Sequence, residues 1–185
     1  IGDGANLQPV QRAEFDQVRQ ARHGAVVFQD LAYHRRRGEA QPGVVVLYPS
    51  DAVCAYRLVE IAAAHRGMVY IRAGRPKSPV LYGQDEAFKI GGCKVLRQSA
   101  SDQLTIVAAG VTLFEALKAH EQLKSAGIPV RVVDLYSVAP IDRLTLLESA
   151  RATKNRILTV EDHYAHGGLG DAVLGAVGSE GVRVQ

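Results

Sequence analysis

Between residues 156 and 170 the chain runs RILTVEDHYAHGGLG: a short apolar run, two acids, a histidine and a turn broken by glycines. Glu161, Asp162, His163 and His166 are residue types that move protons or ligate metals. They stand at the carboxyl end of an expected strand, where open α/β sheets place their ligand contacts. A metal centre is the weaker reading, because all four fall within residues 161–166 and no histidine pair at helical spacing supports them. Gly167, Gly168 and Gly170 precede an expected helix whose free N–H groups could hold an anion. The dinucleotide spacing is missing, however, and Asp171 would repel phosphate, so a structural turn is favoured.

A second concentration of chemistry is IRAGRPK, which puts Arg72, Arg75 and Lys77 on a turn at another strand end. A guanidinium held there can grip a phosphate or carboxylate through two parallel hydrogen bonds. Arg75 is the strongest single candidate, with a surface ion pair as its plain alternative. Cys54 and Cys93 have no second thiol at metal-ligand spacing, and no serine lies in a nucleophile elbow. Free thiols suggest a reducing compartment.

These residues need a scaffold, and the hydrophobic pattern predicts one. Residues 44–47 and 68–71 are short apolar runs, with a helix expected over 52–65 after the start signal Pro49-Ser50-Asp51. Strand, helix, strand calls for a parallel pair. From residue 101 the alternation becomes regular: strands at 104–109, 130–135 and 157–160, a last strand opening at Val182, and helices between them. Thr112 and Glu115 have capping-box spacing. Leu113, Leu117 and Leu123 give one helix its inner face, and Leu144, Leu147 and Ala150 the next. Residues 101–185 are thus expected as a βαβαβαβ unit with helices on both faces of a parallel sheet. The first 43 residues are less regular, with helical spacing at Ala13, Val18 and Ala21 and a helix expected through AVVFQDLAYHR. A domain boundary is expected in the Gly-, Gln- and Asp-rich stretch 79–92, dividing the chain into 1–82 and 83–185.

Composition narrows the field. The chain has 185 residues, 47% of them hydrophobic, enough for a packed core. A net charge of +3 is a small excess, and the basic run at residues 35–37 lacks interleaved aromatics, so nucleic acid is not implied. No segment reads as a membrane span or signal peptide, which points to the cytoplasm. Met68 is the only methionine and a strand opens close to the last residue, so a piece of a longer chain is expected.

Four segments carry a resemblance: YPSDAV at 48–53, IRAGRP at 71–76, AAGVTLFEAL at 108–117 and SARATKNRILTVEDHYAHGGLGDAV at 149–173. Together they resemble transketolase, over residues 44–185 nearly without gaps. The resemblance implies a three-layer α/β/α fold with mostly parallel sheets: the end of a pyrimidine-binding domain, then a carboxy-terminal domain. It also implies thiamine diphosphate with Mg or Ca, and transfer of a two-carbon ketol unit between sugar phosphates. Arg75 matches the family's arginine that clamps the terminal phosphate. GDG with QPV at 8–10 is similar to the family's substrate loop, which makes Asp3 the residue that reads a substrate hydroxyl; the loop's histidine falls on Leu7.

The family's diphosphate- and metal-binding domain has no counterpart in these residues, nor has the glutamate that activates the aminopyrimidine. The resemblance therefore assigns this chain no catalytic, cofactor or metal residue and implies that it does not turn over alone. It would work in a homodimer or with a complete transketolase subunit; the alternative is a non-catalytic dimerisation or binding module of the same descent. 1-Deoxyxylulose-phosphate synthase and the β chain of 2-oxo-acid dehydrogenases share the carboxy-terminal domain, but EDHY with RATKNRILT is closer to transketolase.

Overall fold

The computed structural model describes residues 26–27, 43–74, 77–164 and 166–185. In it the short apolar runs become the strands of two sheets. In chain order the strands are β1 (Val26–Val27), β2 (Val45–Leu47), β3 (Val69–Ile71), β4 (Lys94–Arg97), β5 (Thr105–Ala108), β6 (Arg131–Asp134), β7 (Ser137–Ala139), β8 (Arg156–Val160) and β9 (Arg183–Val184). The helices are α1 (Ala52–Ala64), α2 (Thr112–Ser125), α3 (Arg143–Ala152) and α4 (Leu169–Val177). The first sheet has the order β1-β3-β2-β7 and the second β4-β6-β5-β8-β9. Pairing is parallel except that β7 runs antiparallel to β2 and β4 antiparallel to β6. The expected α/β class with mostly parallel sheets is present.

Alternation along the strands assigns the layers. In β5, Ile106 and Ala108 face one way with Leu113 and Ala116 of α2, while Val107 faces the cluster that holds Leu146, Leu147 and Ala150 of α3 and Val173 and Val177 of α4. Helices therefore cover both faces, as a parallel sheet requires. In β2, Val45 and Leu47 pack with Cys54, Leu58 and Ala62 of α1, whereas Val46 joins the α3/α4 cluster. One apolar cluster thus runs under both sheets.

The helix ends follow from local chemistry. Asp51 caps α1 by accepting from Cys54 N at 2.7 Å, and Asp142 caps α3 by accepting from Thr145 N at 3.1 Å. The expected capping box on α2 does not form. Thr112 Oγ1 instead donates to the carbonyls of Ala109 and Val160, tying the helix to the ends of two strands. At the other end Gly127, with φ +76°, lets Gly127 N and Ile128 N turn back onto the carbonyls of Lys124 and Leu123.

Further departures have physical causes. Val26–Val27, expected within a helix through AVVFQDLAYHR, pairs in parallel with Val69 and Tyr70, and the rest of that stretch lies outside the described residues. A β-branched pair is readily drafted into a neighbouring ladder. In α3 the inner positions belong to Leu146, Leu147 and Ala150, which pack in one cluster with Val173 and Val177 of α4, while Leu144 is 72% exposed. The expected βαβαβαβ unit over 101–185 is present as the parallel strands β6-β5-β8-β9 with α2, α3 and α4 between them, and residues 137–139 add an excursion that pairs with β2 of the first sheet. The stretch expected as a linker is no tether: Tyr82 is buried, and Phe88 stands edge-on between Tyr82 and Tyr136 at 5.0 Å from each. The helix expected around Ala13, Val18 and Ala21 lies outside the described residues.

Candidate functional site

The carboxyl ends of three strands meet at one rim. Tyr48 follows β2, Arg72 follows β3, and Glu161, Asp162 and His163 follow β8. With Val46, Ala109, Thr112, Val138, Val160 and Leu169 they line a cavity of about 30 Å³, room for roughly one water. Across it Arg72 grips Asp162 in the two-bond geometry of a guanidinium on a carboxylate: Nη1 to Oδ1 is 2.6 Å and Nη2 to Oδ2 is 2.8 Å. The guanidinium carbon lies 4.4 Å from the centre of the Tyr48 ring, and the Tyr48 hydroxyl donates to the same carboxylate at 3.3 Å. Burial pushes the Tyr48 phenol above its ordinary value; Arg72 opposes the rise and Asp162 adds to it.

Space explains why the ring sits there. Gly110, two residues after β5, has φ +57°, and a Cβ on it would fall 2.0 Å from Tyr48 Cε2. Only glycine admits both the left-handed turn and the ring. Tyr48, Arg72 and Asp162 together clasp the first sheet to the second.

The neighbouring acid is spent on the glycine turn. Glu161 accepts from Leu169 N at 2.5 Å and Gly170 N at 3.3 Å, so the protein's own carboxylate occupies the amino end of α4. A Cβ on Gly168 would lie 1.9 Å from Glu161 Oε2. Asp171 accepts from Gly167 N at 2.5 Å, closing the turn from the other side. The structural reading of the glycines holds, and the helix end is not free for an external anion.

His163 lines the cavity, its Nδ1 3.0 Å from the Tyr164 carbonyl and its Nε2 shielded with no partner among the described residues. His166 is exposed. Among the described residues no three His, Cys, Asp or Glu side chains converge as a metal would require. Glu161, Asp162, His163 and His166 therefore do not gather into a metal centre.

Of the three cations on the β3 turn, Arg72 is held by Asp162, Lys77 is exposed, and Arg75 lies outside the described residues, as does Asp3. Sequence reasoning missed the clasp because its members, residues 48, 72 and 162, are far apart in the chain. It also missed Asp134, a fully buried acid at the end of β6, although an acid closing the apolar run VRVVD is the available signal. Cys54 and Cys93 are free thiols, Cys54 buried; burial pushes Cys54 upward and Cys93 up to about 12. Among the described residues no helix is long and apolar enough to cross a membrane.

Comparison with known proteins places this geometry. Residues 91–184 match the family model "Transketolase, C-terminal domain". The chain is 48% identical over 155 residues to mouse (Mus musculus) transketolase-like protein 2, covering 84% of this chain and 24% of that protein. It is 48% identical over 160 residues to mouse transketolase, covering 86% and 25%. A solved split-gene transketolase, described as an inactive beta4 tetramer, superimposes with a TM-score of 0.78 at 33% identity, over 95% of this chain and 62% of that one. The chain spans about a quarter of the length of the curated relatives it matches. Its family model, its relatives and its fold agree: the chain belongs to the transketolase family and carries that family's C-terminal domain.

Proposed function

We propose that this chain is the carboxy-terminal part of a transketolase that transfers a two-carbon ketol unit between sugar phosphates with thiamine diphosphate and Mg or Ca. Residues 1–82 would belong to the pyrimidine-binding domain and 83–185 to the carboxy-terminal domain. The observation that carries this reading is the 48% identity to mouse transketolase over 160 residues, a length that takes in both sheets. Arg75, three residues beyond the clasped Arg72, would grip the substrate's terminal phosphate, and Asp3 would read a hydroxyl of the sugar. The cofactor would be held by a complementary polypeptide stretch. The working assembly would then be a homodimer or a pair with a complete subunit, in the cytoplasm.

A second reading, a non-catalytic assembly module, draws support from the split-gene relative, whose tetramer is described as inactive. One experiment separates the two. Ketol transfer from xylulose 5-phosphate to ribose 5-phosphate is assayed with thiamine diphosphate and Mg²⁺, using the 185-residue chain alone and mixed with a transketolase amino-terminal half that binds the cofactor. Silence alone and turnover in the mixture supports the enzyme reading. Silence in both favours the assembly module, and turnover by the chain alone overturns the proposal.

A further inference from the structure

The seam between the two sheets has a second fastening on the opposite face from the Arg72 clasp. Asp134, the last residue of β6, is completely buried. Its Oδ2 accepts from Ser50 Oγ at 2.7 Å and from the Tyr82 hydroxyl at 2.6 Å. Both donors belong to the first sheet's side of the molecule, Ser50 after β2 and Tyr82 in the segment after β3. Its Oδ1 is shielded from solvent and has no hydrogen-bond partner among the described residues.

The charges around this acid offer it no cation. Lys94 pairs with Asp134 across the β4–β6 ladder, but its ammonium is drawn off onto Glu86 and lies 5.2 Å from the Phe88 ring. From α1 and its cap the facing groups are the Asp51 carboxylate, whose Oδ2 is held by Leu81 N and Tyr82 N, and the Cys54 thiol. From the turn before β4 and the turn after β6 they are the Cys93 thiol and the Tyr136 phenol. All of these are neutral or negative. Burying an unpaired carboxylate is costly, whereas a buried neutral acid is tolerated.

We propose that Asp134 is a proton-sensitive joint between the two sheets: protonated, it sits in the seam as a neutral acid, and ionised, it buries a charge with no facing cation, a cost that the Ser50 and Tyr82 hydrogen bonds offset only in part and that weakens the seam. Burial drives its carboxyl up to about 7, the Tyr82 and Ser50 hydroxyls oppose the rise, and Asp51 adds to it. A folded value raised above the unfolded carboxyl, about 3.9, means the stabilising effect is whole below about pH 4 and lost as pH rises through about 7. The unfolding constant then rises by up to about tenfold per pH unit across that window, about a thousandfold in all.

The test compares the full chain with Asp134→Asn and Tyr82→Phe by urea unfolding from pH 4.5 to pH 8.5. The wild type should lose stability with rising pH relative to Asp134→Asn by a large part of that factor. At pH 8 the amides of Leu81 and Tyr82 should exchange hydrogen faster in the wild type than in Asp134→Asn, and at pH 5 equally. Tyr82→Phe removes a hydroxyl that favours the ionised form, so its loss of stability should come at higher pH. Parallel profiles for the wild type and Asp134→Asn overturn the proposal. Should Asp134→Asn not fold, an unmoved midpoint in Tyr82→Phe overturns it equally.

Discussion

Replacing Gly168 by alanine isolates how the motif at 161–170 is used. Gly168 has φ −86° and ψ −173°, extended backbone open to any residue, so strain does not enter. The added Cβ would stand 1.9 Å from Glu161 Oε2 and 2.5 Å from its carboxyl carbon. The carboxylate must swing out, and Leu169 N and Gly170 N lose their acceptor. A lost cap costs about 1 kcal/mol, and loss of a negative charge from a helix amino end about 0.3–1 more. With the strain of displacing packed atoms, the total is about 2–3 kcal/mol, or roughly 4–12 °C in Tm for a chain of this size. Urea unfolding followed by circular dichroism reads it. In a Glu161→Ala background the obstruction is gone, and Gly168→Ala should cost only about 0.5 kcal/mol. Equal costs in the two backgrounds would refute the view that Glu161 fills this helix end.

Gly110→Ala meets both a left-handed backbone and the Tyr48 ring, and should destabilise by about 3 kcal/mol or more, seen as a drop in thermal midpoint. The Arg72–Asp162 pair has side chains 19% and 35% exposed, so a double-mutant cycle with alanine should give about 0.5–1 kcal/mol of coupling that shrinks at high salt. Leu146→Ala should cost about 2–5 kcal/mol, while Leu144→Ala stays within about 0.5, both by chemical denaturation.

Much of the scaffold was legible because its signals are local. Asp51 and Asp142 announce their helices, Gly127 ends one, and the mostly apolar runs at 104–109 and 130–135 mark buried strands. The α3 phase was misread because Leu144 and Leu147 share helical spacing as plausibly as Leu147 and Ala150 do; only the packed neighbours decide which leucine stays outside. The capping box at Thr112 failed since the hydroxyl found better acceptors in Ala109 and Val160, the latter 48 residues away. The site was legible as residue types but not as relations. Glu161, Asp162 and the glycines stand where expected, yet their roles as helix cap and clasp depend on Leu169, Tyr48 and Arg72, partners that spacing along the chain does not reveal.

The proposed phosphate recognition by Arg75 is tested most directly by the KM for xylulose 5-phosphate in the chain reconstituted with a cofactor-binding amino-terminal half, comparing Arg75→Ala with the wild type. A hydrogen-bonded contact to a charged group is worth about 1.5–3 kcal/mol, so KM should rise roughly 10- to 100-fold, with kcat changing far less. An unchanged KM would contradict the assignment of Arg75 to the substrate's phosphate.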